Sequence, residues 1–243
     1  MQQRLPALLD PPIAFAHRGA RAHAPENTIE AFQLGLRLGA NGLESDLWIT
    51  ADGVPVLDHD GVVRIRARKR RIAELRRAEL PAHIPTVADL LTACGTDYEL
   101  SLDLKDPAAF GPLLGTVREI APEFERRMWL CHPEVDHLVN LRRQTTAHLV
   151  DSTRLTRIGE GPERRAATLR NEGIDAINMH HTDWTGGLAV LFHRFERCAF
   201  GWDLQLPRHL TNAIRMGLDG IYSDHVDRMH DALLAGGAGD TRS

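Results

Sequence analysis

Cysteine, long apolar runs and a surplus of either charge are all scarce in this sequence, and each shortage narrows what the chain can be. Three cysteines (Cys94, Cys131, Cys198) lie far apart with no CxxC pair. No disulfide framework or cysteine zinc site is expected, and the three read as reduced core thiols of a cytoplasmic protein. No apolar stretch approaches the ~20 residues of a membrane-spanning helix. The N-terminal "MQQRLPALLDPPIAFAH" has neither a basic start nor a long apolar segment, so no signal peptide is expected. A net charge of -4 and a pI near 6.3 give no general reason to expect nucleic-acid binding. The glycine-rich GxGxxG of a dinucleotide site is missing after the first apolar run, where "HRGARAHAPENT" stands instead. No internal repeat recurs at a fixed period beyond the alternation described next.

What is present is a regular alternation of short apolar runs and helical patterns. "IAFAH", "GLESDLWI", "YELSLDLK", "RMWLCH", "AHLVDS", "DAINMH", "CAFGWDLQ" and "DGIYSD" each precede a helix, at about 27–38, 86–94, 108–124, 133–144, 161–172, 185–196, 207–216 and 225–235. Asn27 with Glu30, and Thr86 with Asp89, have capping-box spacing, while Gly39, Gly173 and Gly217 read as helix stops. Eight strand–helix units in 243 residues predict an α/β protein, a (β/α)8 TIM barrel, as one domain over residues 1–236. An open doubly wound sheet is the alternative. An insertion at about 51–83 follows strand two, with an Asp52-Gly53 turn and a second extended run, "VPVLDHD". Its basic stretch, Arg64–Arg77, reads as a solvated lid or connector rather than a nucleic-acid surface. Residues 237–243 read as a disordered tail.

In such barrels the catalytic groups come from the C-terminal ends of the strands. Glu44 and Asp46 share one face of strand two, and Asp103 and Lys105 one face of strand three, because side chains alternate. His17 and Arg18 end strand one, and the insertion contributes His59 between Asp58 and Asp60. Neighbouring inward carboxylates repel each other and need a cation to stay ionised together. Hard oxygen ligands favour Mg²⁺ or Ca²⁺, with Mn²⁺ as a further candidate, over Zn²⁺. Three carboxylates, one divalent ion, Arg18 and Lys105 leave a charge of about +1, which balances a singly charged phosphodiester.

In order and spacing, "HRG" (17–19), "PENT" (25–28), "ESD" (44–46), "TADGVPVLDHD" (50–60), "IPTVADLL" (84–91) and "SLDLK" (101–105) resemble the glycerophosphodiester phosphodiesterase family; Trp202 in "GWDLQ" and "GLDGIYSD" (217–224) continue the likeness. The resemblance implies a TIM barrel with an insertion after strand two. It also implies metal-dependent hydrolysis of glycerophosphodiesters to sn-glycerol 3-phosphate and an alcohol. Carried over by position, Glu44, Asp46 and Asp103 become metal ligands and His17 and His59 an acid/base pair. Arg18 and Lys105 become phosphoryl contacts, Trp202 a substrate-binding residue, and Glu26 with Asn27 organisers of the loop beneath. A small phosphodiester is the expected partner, with transient contact with lipid surfaces and no nucleic acid. A lysophospholipase D acting along an apolar groove of Trp48, Trp184, Phe192 or Trp202, and a non-catalytic phosphate-binding barrel, are the alternatives. Departures from the family's usual residues are Asp103 for Glu, His132 for Ser, Asp203 and Gln205 for Thr and Asn, and "SDHV" in the last strand. His180-His181 is a further oddity, read as mouth histidines with a second metal site as the alternative.

Overall fold

In the computed structural model, which describes residues 4–237, alternation along the first strand already separates two cores. Ile13 and Phe15 join an interior cluster, while Ala14 and Ala16 belong to the layer beneath the helices. The chain runs through β1 (Ile13–His17), α1 (Ile29–Arg37) and β2 (Gly42–Ile49) into an insertion carrying β3 (Pro55–Leu57), β4 (Val62–Ile65) and β5 (Arg68–Arg71). It continues as α2 (Val87–Cys94), β6 (Glu99–Leu104), α3 (Phe110–Ile120), β7 (Met128–His132), α4 (Val135–Arg142), β8 (His148–Thr153) and α5 (Pro162–Asn171). The last elements are β9 (Ala176–His180), α6 (Gly186–Arg194), β10 (Cys198–Trp202), α7 (Pro207–Arg215), β11 (Gly220–Ser223) and α8 (Val226–Gly237). Each barrel strand pairs in parallel with the next, and β1 pairs with both β11 and β2, so the sheet closes. The expected TIM barrel is the observed fold.

Phe15, Trp129, Phe200 and Tyr222 fill the barrel from four strands, with Phe15 stacked on Tyr222 at 4.5 Å between centroids. Tyr222 Oη lies 3.0 Å from Ser101 Oγ, which satisfies both hydroxyls beneath the polar mouth. Leu43, Leu47, Leu102 and Leu104 take the opposite strand face and meet the helices.

Local signals act mostly as read. Thr86 Oγ1 accepts from the Asp89 N–H and the Asp89 carboxylate accepts from the Thr86 N–H, both at 2.9 Å. Gly39, Gly173 and Gly217 take positive φ after their helices. Asn27 is a correction, because the cap of α1 is Thr28, whose Oγ1 accepts from the Ala31 N–H at 3.2 Å. Asn27 instead has φ 53 and accepts from Ser45 Oγ at 2.7 Å, tying the PENT loop to β2. The helix expected over 108–124 stops at Ile120. Pro122 disfavours helical backbone in Ala121, and a 3-10 segment, Pro122–Arg127, follows.

Within the insertion, β3 pairs antiparallel with β2. The basic stretch folds back on itself as β4 and β5, with Arg68, Lys69, Arg70 and Arg71 all exposed. A small cluster of Val56, Val63, Ile72, Leu75, Leu80 and Ile84 anchors it. No helix among the described residues is long and apolar enough to cross a membrane. Of the expected tail, Gly237 closes α8 and residues 238–243 lie outside the described residues.

Candidate active site

His17, Arg18, Glu44, Asp46, Asp103 and Lys105 come together at the C-terminal mouth, around a cavity of about 430 Å³ that Trp202 also lines. Register explains the meeting: His17 sits beside Glu44, and Asp46 beside Asp103. The chain leaves β1 through two left-handed residues, Arg18 (φ 53) and Gly19 (φ 75). A Cβ on Gly19 would stand 2.6 Å from the Ala31 carbonyl carbon, so only glycine lets α1 approach this closely. The turn leaves the Arg18 N–H donating to Glu44 Oε2 at 2.9 Å. The Arg18 guanidinium sits between Asp46 (Nε to Oδ2, 3.4 Å) and Glu26 (Nη1 to Oε2, 3.2 Å).

His17 Nδ1 lies 2.6 Å from Asp224 Oδ1, and its Nε2 lies 3.8 Å from Glu44 Oε2. Because a carboxylate only accepts, a neutral His17 carries its proton on Nδ1 and keeps the Nε2 lone pair. Burial lowers the His17 pKa, but Glu44 and Asp224 outweigh it and the net shift is upward.

Burial, aided by Asp46 and Asp103, pushes the Glu44 carboxyl up to about 7. Burial also raises Asp46, despite Lys105 and Arg18 beside it. Lys105 Nζ donates to Asp103 Oδ2 at 2.9 Å and lies 3.1 Å from Asp46 Oδ1. Burial opposes the Lys105 charge, yet the two aspartates raise its pKa further. Buried Asp46 Oδ2 has no hydrogen-bond partner. A buried carboxylate oxygen that accepts no hydrogen bond, although Arg18 Nε stands 3.4 Å away, fits a divalent cation, and the all-oxygen set of three carboxylates fits a hard one.

His59 is not among the cavity-lining residues. Its Nδ1 lies 2.7 Å from Asp60 Oδ1 and its side chain is 40% exposed. Its chain neighbour Asp58 donates its backbone N–H to the Asp46 carbonyl at 3.1 Å, next to the antiparallel pairing of β3 with β2. His132 is also absent from the lining; Nδ1 of its ring accepts from the Glu134 N–H at 3.1 Å.

Sequence reasoning missed Asp224, the partner of His17, and the far wall of Ser152, Thr153, Arg154, Arg157 and Asn178. Their position at the ends of strands five, six and eight was the available signal. Arg154 is held by Asp183, and its guanidinium carbon sits 5.8 Å from the centroid of Trp202. Gln205 accepts from the Asp224 N–H at 3.0 Å and steadies that turn. Trp48, Trp184 and Phe192 do not line this cavity; Trp184 lines a neighbouring one of about 520 Å³ with Leu204, Met216 and Leu218.

The sequence pattern of the Glycerophosphoryl diester phosphodiesterase family matches residues 17–228. The glycerophosphodiester phosphodiesterase of Caldanaerobacter subterraneus is 47% identical over 255 residues, covering 93% of this chain and 99% of that protein. The "Probable glycerophosphodiester phosphodiesterase 2" of Mycobacterium tuberculosis is 29% identical over 262 residues, covering 94% of this chain and 93% of that one. A phosphodiesterase of Oleispira antarctica, solved in complex with the product sn-glycerol-3-phosphate, has the same fold: TM-score 0.80 at 18% identity, covering 91% of this chain and 96% of that one.

Proposed function

Because this chain belongs to the glycerophosphoryl diester phosphodiesterase family, whose members hydrolyse glycerophosphodiesters, we propose that the cavity releases sn-glycerol 3-phosphate and an alcohol, using a divalent cation and histidine acid/base catalysis. One observation carries the reading: Glu44, Asp46 and Asp103, the cations Arg18 and Lys105, and an imidazole anchored by Asp224 share a single cavity at the barrel mouth. The product held by the Oleispira antarctica phosphodiesterase is consistent with it. Three free cysteines support a reducing, cytoplasmic setting.

Glu44, Asp46 and Asp103 are the residues to hold Mg²⁺, Ca²⁺ or Mn²⁺. When bound, the ion polarises the phosphoryl group as a Lewis acid. Arg18 and Lys105 meet the remaining phosphoryl oxygens and stabilise the charge that develops there. The Nε2 lone pair of His17 takes the proton of the attacking hydroxyl or water, and Asp224 stabilises the imidazolium that forms. His59, on the loop after β3, protonates the departing alkoxide as its bond to phosphorus breaks. Trp202 forms part of the wall that receives the alcohol group.

The test is turnover of glycerophosphocholine and glycerophosphoethanolamine with Mg²⁺, Ca²⁺ or Mn²⁺. His17→Ala is expected to lose about 10²–10⁴ in kcat, and Glu44→Ala to lose turnover by weakening the cation's hold. Wild-type turnover no faster than the variants', with every substrate and metal, overturns the proposal and leaves a phosphate-binding barrel.

A further inference from the structure

The ends of β9 and β10 carry a group of side chains that the phosphodiester chemistry does not use. His180 closes β9, directly opposite Trp202 of β10, and Asp203 follows Trp202 in the chain. His181 opens the short 3-10 turn His181–Asp183. Each of His180, His181 and Asp203 offers one donor atom, and the three atoms lie within 4.8 Å of one another.

The chain holds this group in order. The Thr182 N–H donates to His180 Nδ1 at 3.3 Å, and Thr182 Oγ1 lies 2.7 Å from the same nitrogen. Nδ1 is therefore the acceptor and the ring proton is on Nε2, which lies 3.1 Å from Asp203 Oδ2. Asp203 itself has φ 63, a left-handed conformation uncommon for a residue with a Cβ. The His181 ring stacks on His209 with centroids 4.1 Å apart, which restricts its swing.

We propose that His180, His181 and Asp203 form a second cation site, selective for a borderline transition metal such as Zn²⁺, Co²⁺ or Ni²⁺. Imidazole donors favour these ions, whereas the all-carboxylate set of Glu44, Asp46 and Asp103 favours Mg²⁺ or Ca²⁺. The two sites therefore sort different metals, and this one stands or falls independently of the reading of the acidic site. Binding selects the other neutral tautomer of His180, whose proton sits on Nδ1 and is accepted by Thr182 Oγ1 at 2.7 Å, so the ion takes the freed Nε2 lone pair, an Asp203 oxygen and an imidazole nitrogen of His181. Shifts of about 1 Å or less bring the three donors to the ~2.1 Å of such bonds. Asp203 lines the 430 Å³ cavity and His181 a neighbouring one of about 520 Å³, which puts the ion in the wall between them. Three protein ligands leave a coordination position open.

The experiment is titration of the metal-stripped protein with Co²⁺ in excess Mg²⁺, followed by visible absorption and calorimetry. One equivalent is expected to bind, with a ligand-field band that survives Glu44→Gln. Binding is expected to weaken by at least about tenfold in His181→Asn and in Asp203→Asn. Asp203 has a half-exposed side chain (48%), so its variant carries the test if His181→Asn does not fold. Absence of Co²⁺ binding in excess Mg²⁺, equal affinity in folded Asp203→Asn and wild type, or loss of binding in Glu44→Gln each overturns the proposal. Co²⁺ binding with the expected pattern in a protein that hydrolyses no phosphodiester would sustain this site and reject only the proposed activity.

Discussion

Asp224 reaches His17 from 207 positions further along the chain. A carboxylate on Nδ1 sets both the tautomer and the plane of the imidazole. Asp224→Asn is expected to lower kcat about ten- to a hundredfold with little change in KM. Since Asp224 is one of the groups raising the His17 pKa, the acidic limb of the pH–rate profile moves to lower pH in the variant. A rise in KM alone, with the profile unmoved, would instead mark Asp224 as a binding residue. Single residues were unevenly legible. Glu44 and Asp46 could be put on one face because strand alternation is local. Asp224 was not matched to His17: a closed barrel sets the last strand beside the first, but the register that brings these two side chains together is recorded nowhere near either residue. Asn27 was misread for a related reason: its hydrogen bond to Ser45 competes with capping and is invisible to spacing along the chain.

Among the elements, the junction of α3, the 3-10 segment and β8 is held by Glu125. Its carboxylate accepts from Arg118 Nε at 2.7 Å, Thr145 Oγ1 at 2.6 Å and the Thr146 N–H at 2.8 Å. Burial would raise this carboxyl, but these partners outweigh burial and hold it down at about 2. Folding thus favours the ionised form. The stabilisation is complete above the ordinary value of 4.5 and is lost as pH falls from there through about 2. Glu125→Gln is expected to cost about 1–3 kcal/mol at pH 7 and to flatten stability between pH 4.5 and 2, measured by urea unfolding across that range. An unchanged slope would assign acid unfolding to other carboxylates. Helix limits were readable because Thr86, Asp89 and the glycine stops act within a turn of their own position. The β4–β5 hairpin was not: its bend uses Arg66 (φ 45) and Ala67 (φ 67), residues without the Asn-Gly or Asp-Gly signature of such turns.

For the whole molecule, the interior layer is what makes eight strands one cooperative unit. Phe200 is fully buried and packs against Phe15, Trp129 and Tyr222, which belong to three other strands. Phe200→Ala is expected to cost about 3–5 kcal/mol, seen as a lower urea midpoint with one transition and an unchanged m value. Two separate transitions would mean that the barrel's halves unfold independently. Alternation, helix signals and the family motifs are properties of short segments, so the sequence by itself determined the eight strand–helix units, their order and the acidic face. Closure and register are long-range. Only the tertiary structure decided that Asp224 meets His17, that Arg154 and Arg157 wall the cavity, and that Asp203 faces His180. Those meetings depend on which strands become neighbours when the sheet closes, and no single segment of the chain encodes that.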